Sequence, residues 1–155
     1  EKLGKFLALK SIKIIYGGGK TGIMGKISKS SYDQGGNVTG VIPDFLISQE
    51  KKSEETTKNI VVKTMAERKK KLFEMGEAFL ILPGGSGTIE EASEVISWKF
   101  LGLHNKEIII YNHNGYWDYL FNIYEQARIN KFSNKNLQNI CKHVKTTKEF
   151  IKLFS

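Results

Sequence analysis

The chain is predicted to be an α/β protein, a Rossmann-like doubly wound parallel sheet with helices on both faces. Three observations predict it. Short, apolar, β-branched runs alternate with segments of helical spacing, the pattern of a parallel sheet covered on both sides. Two glycine-rich loops each follow such a run, at the strand ends where open α/β sheets bind their ligands. The length of 155 residues and an apolar content of 40% suit one domain, 1–155, with one buried core.

The elements follow in order. Residues 2–10 have helical periodicity. Residues 12–16 read as a strand and run directly into Gly17, Gly18 and Gly19. Residues 37–42 read as a second strand, ended by Pro43. The polar stretch 48–59 reads as a connection rather than an interdomain linker. Residues 60–63 are a third strand, and 65–76 have helical spacing. Residues 78–82 are a fourth strand, followed by the loop "PGGSGT" and a helix from about residue 88 to 103. Residues 107–111 are a fifth strand, 116–130 are helical, and 147–154 form a closing helix. There are no internal repeats.

Composition narrows the partners. The formal charge is +8, which could serve nucleic acid, an acidic surface or a phosphorylated small molecule. The lysines are spread along the chain, without the aromatic and basic stripe of a single-strand binder, so no nucleic-acid partner is predicted. Apolar runs such as "AFLIL" are too short to cross a bilayer, so no membrane partner is predicted. Cys141 is alone, which excludes an internal disulfide and a cysteine zinc site. With no export leader in view, the expected location is cytoplasmic. His104, His113 and His143 are scattered and form no cluster that points to a metal.

The first glycine loop, "YGGGKTGIMG", sets Gly17, Gly19 and Gly22 in G-x-G-x-x-G spacing, with Gly18 between them. Glycine lets the backbone approach a phosphate, and amides at a helix start favour an anion. A dinucleotide site would also place an acid at the end of the next strand; here that strand runs into Pro43, with only Asp44 beyond. A P-loop is excluded, because its spacing demands glycine where Ile14 stands. The alternative to a phosphate loop is a tight strand-to-helix turn with close packing.

The second loop carries the stronger signal. Pro83 ends a buried strand; Gly84, Gly85 and Gly87 let the chain turn with its amides exposed; Ser86 lies between them, and Thr88 offers a hydroxyl. The following helix adds a partial positive charge. On a helical wheel Thr88, Glu91, Val95 and Trp98 share a face, while Glu90 points away. Glu91 can therefore stand beside an anion held by the loop. Thr88-x-x-Glu91 also matches a capping box, in which the glutamate serves only the helix start. Both readings remain open at this stage.

In "MAERKKK", Met65, Leu72 and Gly76 form the expected inward face, with Arg68 and Lys69 within it or at its border. Lys70 and Lys71 point outward. Arg68 either snorkels or meets an anion or carboxylate through its planar fork.

Together these residues resemble the LOG ("Lonely guy") family of cytokinin riboside 5'-monophosphate phosphoribohydrolases, many once labelled lysine decarboxylases. The family pattern P-G-G-x-G-T-x-x-E is met by Pro83 through Glu91, and M-x-x-R-K by Met65, Arg68 and Lys69. "GGNVTGVIPDFL" and "SWKFLGLHNKEIIIYNHNGYWD" extend the resemblance over almost the whole chain. It implies that Arg68 and Glu91 are catalytic and that neither a metal nor a cofactor is required. It assigns substrate contacts to Glu50, Lys69, Gly85, Ser86, Gly87, Thr88 and the position of Ser97, with Met65 and Gly84 as further motif members. It also implies a homodimer joined through helices beside the site, which suits the apolar "WKFLGL" segment.

The chain departs from the family in several places. By this resemblance it is expected to open inside the helix that follows the family's first strand, so that one strand is missing or lies outside the sequence. Ser97 replaces the usual threonine, Phe100 the usual glutamine, and Asp33 and Gln34 stand where small apolar residues are common. No lysine is placed after a strand to hold pyridoxal phosphate, so decarboxylation finds no support. The expected reaction is hydrolysis of the N-glycosidic bond of a purine nucleoside 5'-monophosphate. The alternative is a non-catalytic nucleotide-binding or carrier module of the same fold.

Overall fold

The structure, a computed structural model, describes residues 1–47 and 55–154. It has the predicted α/β class, with every strand pairing parallel to its neighbour. Two compact units divide the chain, Glu1–Gly76 and Glu77–Ser155. Each carries its own three-stranded sheet.

In the first unit, helix α1 (Lys2–Leu9) leads to strand β1 (Ile14–Tyr16), helix α2 (Gly22–Tyr32), strand β2 (Val38–Pro43), strand β3 (Lys58–Val62) and helix α3 (Met65–Met75). The order across the sheet is β1-β2-β3. All six residues of β2 are buried, as its near-continuous apolar run requires of a central parallel strand. Strand β3, the last in that order among the described residues, begins two residues before its apolar run and stays half-exposed. Helices α1 and α2 approach closely through small residues. A Cβ on Gly4 would collide with α2, where Ser28, Ser30 and Ser31 are buried. The Ser28 and Ser30 hydroxyls donate to the carbonyls of Gly25 and Ile27, each at 3.1 Å.

In the second unit, strand β4 (Ala78–Ile81) precedes helix α4 (Ser86–Phe100), strand β5 (Glu107–Tyr111), helix α5 (Asp118–Ile129), strand β6 (Lys142–Val144) and helix α6 (Thr147–Lys152). The order is β4-β5-β6. Its core joins Ile81, Ile108 and Ile110 of the sheet to Ala92 and Ile96 of α4, with Trp117, Leu137 and Cys141 closing it. The isoleucine run of β5 marks it as the central strand in the same way as β2. Strand β6 has no counterpart in the sequence reading: it is three residues long, and only Val144 is buried.

Among the described residues no helix is long and apolar enough to cross a membrane.

Candidate active site

The second glycine loop leaves β4 at Ile81, which is buried, and enters α4 at Ser86. The helix therefore starts two residues earlier than its periodicity suggests and ends at Phe100 rather than near residue 103. Its N-cap is Gly85, in an extended conformation (φ −83°, ψ −159°), and the Gly85 carbonyl accepts from Ile89 N at 3.1 Å. A glycine cap brings no side chain to the first amides of the helix. Those amides, with the positive end of the helix dipole, face outward from an exposed turn comprising Gly85, Ser86 and Gly87.

The three loop glycines are not equivalent. A Cβ on Gly84 would overlap the Thr88 side chain, so Thr88 folds back over the loop. Cβ atoms on Gly85 and Gly87 would meet nothing. Neither has the positive φ that would demand glycine. Their lack of side chains leaves open space above the helix start.

The early start of α4 moves Thr88 off the N-cap position. A capping box needs its threonine at the N-cap. Thr88 is instead the third residue of the helix, and Glu91 lies nearly a turn further in. The chain builds genuine boxes elsewhere. At α3 the Thr64 hydroxyl accepts from Glu67 N at 3.1 Å, and Glu67 accepts in return from Lys63 N at 2.8 Å. At α6 the Thr146 hydroxyl accepts from Glu149 N at 3.2 Å, and Glu149 accepts from Lys145 N at 2.7 Å. Thr88-x-x-Glu91 has the same sequence pattern in a different helical position. Glu91 is half-buried on the Thr88 side of α4, whereas Glu90 is exposed.

Sequence reasoning passed over Tyr116, whose hydroxyl donates to the carbonyl of Gly84 at 2.6 Å. A phenol that reaches a main-chain carbonyl leaves no spacing pattern to read.

The first glycine loop has a different character. Gly17, Gly18 and Gly19 are all buried. Gly18 has φ +79°, and a Cβ there would press on Ile42 at 3.0 Å. The Gly18 backbone lies close over Gly40 of β2, where a Cβ would come within 2.9 Å of it. Gly22 (φ +61°) opens α2 with free space around it. Positions 17–19 form a closely packed turn.

That turn also meets Arg68. Arg68 is the one buried residue of α3, at 8% exposure. Its Nε donates to the Val41 carbonyl at 3.3 Å and its Nη2 to the Gly17 carbonyl at 3.4 Å. A Cβ on Gly17 would overlap the guanidinium. Arg68 therefore does not snorkel to solvent. Met65, expected on the inward face, is 37% exposed, with its sulfur 3.9 Å from Arg68 Nη1.

Lys69 is half-buried, Ser97 is exposed, and Glu50 lies outside the described residues. Among the described residues no cluster of His, Cys, Asp and Glu could hold a metal ion. The structure brings Gly84, Gly85, Ser86, Gly87, Thr88 and Glu91 together in the second unit. It brings Gly17 and Arg68 together in the first.

The family profile described as "Possible lysine decarboxylase" matches residues 24–154. The chain is 38% identical over 150 residues to cytokinin riboside 5'-monophosphate phosphoribohydrolase LOG4 of Arabidopsis thaliana, covering 97% of this chain and 70% of that protein. The chain belongs to the LOG family. A probable LOG enzyme of Oryza sativa subsp. japonica is 40% identical over 138 residues, covering 89% of this chain and 60% of the relative. The cytokinin riboside 5'-monophosphate phosphoribohydrolase of Rhodococcoides fascians is 37% identical over 148 residues, covering 93% and 75%. The chain thus spans between three fifths and three quarters of the length of these LOG relatives. Solved structures share the LOG-like fold at lower identity. The molybdenum cofactor carrier protein of Chlamydomonas reinhardtii aligns with TM-score 0.71 at 17% identity, covering 99% of this chain and 81% of that one. The molybdenum cofactor binding protein of Rippkaea orientalis aligns with TM-score 0.69 at 18% identity, covering 99% and 82%.

Proposed function

We propose that this LOG-family chain hydrolyses the N-glycosidic bond of a purine nucleoside 5'-monophosphate, a cytokinin riboside 5'-monophosphate or AMP, to free base and ribose 5-phosphate. The names of its relatives support the reaction class. The observation that carries the reading is Glu91, half-buried on the Thr88 side of a helix whose N-cap is a glycine.

The phosphate sits on the amides of the turn at Gly84, Gly85 and Gly87 and on the Thr88 hydroxyl, where the helix start favours an anion. Anchoring it places the sugar's anomeric carbon and shortens the search for a reactive geometry. As the glycosidic bond lengthens, its electron pair leaves with the base and positive charge grows on the ribose ring. Glu91 takes part in its ionised form. Its carboxylate stabilises that charge and takes a proton from the attacking water, whose oxygen bonds to the anomeric carbon. The departing base gains a proton. General-base action of this kind contributes about 10²–10⁴ in rate. By resemblance to the family Arg68 is catalytic, and Glu50, Met65, Lys69 and Ser97 contact the substrate. A homodimer and a single 1–155 domain belong to the same reading.

The test compares turnover of AMP, adenosine and isopentenyladenosine monophosphate by the parent protein and by Glu91→Gln. The expected result is hydrolysis of a monophosphate by the parent, adenosine at least 100-fold slower, and no detectable hydrolysis by the variant. Glu90→Gln should match the parent. Adenosine cleaved as fast as AMP would remove the phosphate anchor. Nucleotide binding without turnover would leave the non-catalytic carrier module as the function.

A further inference from the structure

We propose that Tyr116 is a positioning residue for phosphate binding, fixing the Gly84–Gly85 peptide so that the Gly85 amide points into the anion site. The inference rests on the phosphate-loop reading above. The Gly84–Gly85 link is the least constrained part of the loop by sequence, since neither residue has a side chain to restrict rotation. In a trans peptide the carbonyl and the following N–H point in opposite directions. A donor that holds the Gly84 carbonyl therefore also aims the Gly85 N–H. Tyr116 Oη is that donor, at 2.6 Å. Thr88 closes the loop around Gly84 at the place where a Cβ would stand.

The tyrosine is itself held from below. Its ring meets Trp117 edge-on, with centroids 5.0 Å apart and planes at 88°. Trp117 is buried in the core of the second unit. The Trp117 amide donates to Asn112 Oδ1 at 2.7 Å, and Asn112 Nδ2 donates to Asp118 Oδ1 at 2.7 Å. Asn112 is only 3% exposed, and its own amide donates to the Val144 carbonyl at 2.7 Å, just past the end of β5. The turn between them passes through Asn114 and Gly115, both at positive φ. A buried side-chain amide thus fixes a turn, the turn fixes a ring, and the ring's hydroxyl fixes one peptide of the loop. Tyr116 is itself 49% exposed, so its order comes from these contacts rather than from burial. Tyr119, three residues on, is 82% exposed.

Tyr116→Phe keeps the ring on Trp117 and removes only the donor. Two readouts are compared with the parent protein. The first is affinity for ribose 5-phosphate by calorimetry, alongside KM and kcat for the nucleotide substrate. The dissociation constant and KM should rise together by about three- to tenfold, the range expected for one lost hydrogen bond, with kcat within twofold. The second needs no ligand: in 15N-labelled protein the Gly85 amide resonance should shift or broaden as the peptide gains freedom. Tyr119→Phe should change neither. An unchanged Gly85 resonance overturns the proposal whether or not the protein proves to be a hydrolase. A fall in kcat at constant affinity, or equal losses in both tyrosine variants, also overturns it. A parent that binds no ribose 5-phosphate refutes the phosphate-loop reading, and with it the role in phosphate binding. The Gly85 resonance then reports separately whether Tyr116 fixes the peptide.

Discussion

Gly17→Ala tests the seat of Arg68. The substitution adds one methyl group at a position whose backbone accepts any residue, because Gly17 does not have positive φ. The added carbon would overlap the Arg68 guanidinium, so one of the two must move. If Arg68 moves, it gives up bonds to the Gly17 and Val41 carbonyls at 3.4 and 3.3 Å. Hydrogen bonds from a charged donor contribute about 1.5–3 kcal/mol each, and these two are long enough to fall at the lower end. If the backbone moves instead, overpacking costs about 1–3 kcal/mol. Either route predicts a loss of about 1–3 kcal/mol, or a fall in Tm of about 3–10 °C for a chain of this size. The decisive assay is a double-mutant cycle by chemical denaturation. In an Arg68→Ala background the methyl has room, and its cost should drop below about 0.5 kcal/mol. A methyl that costs the same in both backgrounds would show that Gly17 does not seat Arg68.

Two further outcomes are expected. Arg68→Lys should lower kcat/KM for the nucleotide substrate at least tenfold, since an ammonium cannot reproduce a planar fork on two carbonyls; Lys70→Ala and Lys71→Ala, both exposed, should stay within twofold. The Cys141 thiol, pushed up to about 12 by burial and 5% exposed, should resist a disulfide reagent at pH 8 in the native protein and react fully in denaturant.

The sequence disclosed the fold class through its two central strands. The runs in β2 and β5 are apolar without alternation because both faces are covered, and that is visible in residue types alone. Both glycine loops were equally visible. What they do was not. G-x-G-x-x-G spacing suggested an anion site at Gly17, yet the structure buries Gly17, Gly18 and Gly19 and packs them on Gly40 and Ile42. The position of Thr88 was hidden for a different reason. The chain uses Thr-x-x-Glu as a true box at Thr64 and Thr146, so the same letters at Thr88 gave a false helix start. Arg68 and Tyr116 share a third cause. Both donate to main-chain carbonyls, Arg68 at Gly17 and Val41 and Tyr116 at Gly84, and a carbonyl is present at every residue. Contacts of that kind are specified by the fold and leave no trace in composition or spacing.

The same geometry separates glycines kept for packing from glycines kept for a ligand. Gly84 has no room for a Cβ, because Thr88 occupies the space. Gly84→Ala should therefore lower stability by about 1–3 kcal/mol whatever the protein binds. Gly85 and Gly87 have room, and neither has positive φ. Gly87 is moreover inside α4. Alanine at a compatible position stabilises by about 0.4–1 kcal/mol, because it restricts the unfolded chain. If nothing bound at this loop, Gly87→Ala would be a gain without a cost, and Gly85→Ala would be nearly neutral. If a phosphate lies on these amides, each methyl intrudes on the space above the helix start. Gly87→Ala should then unfold at a higher temperature while binding ribose 5-phosphate at least tenfold more weakly. Opposite signs in stability and affinity are the signature of a position kept open for a ligand. Thermal unfolding and calorimetry on the same two variants measure both. A variant more stable than the parent that binds ribose 5-phosphate as well as the parent would place the phosphate elsewhere, and the glycine-capped start of α4 would lose its assigned role.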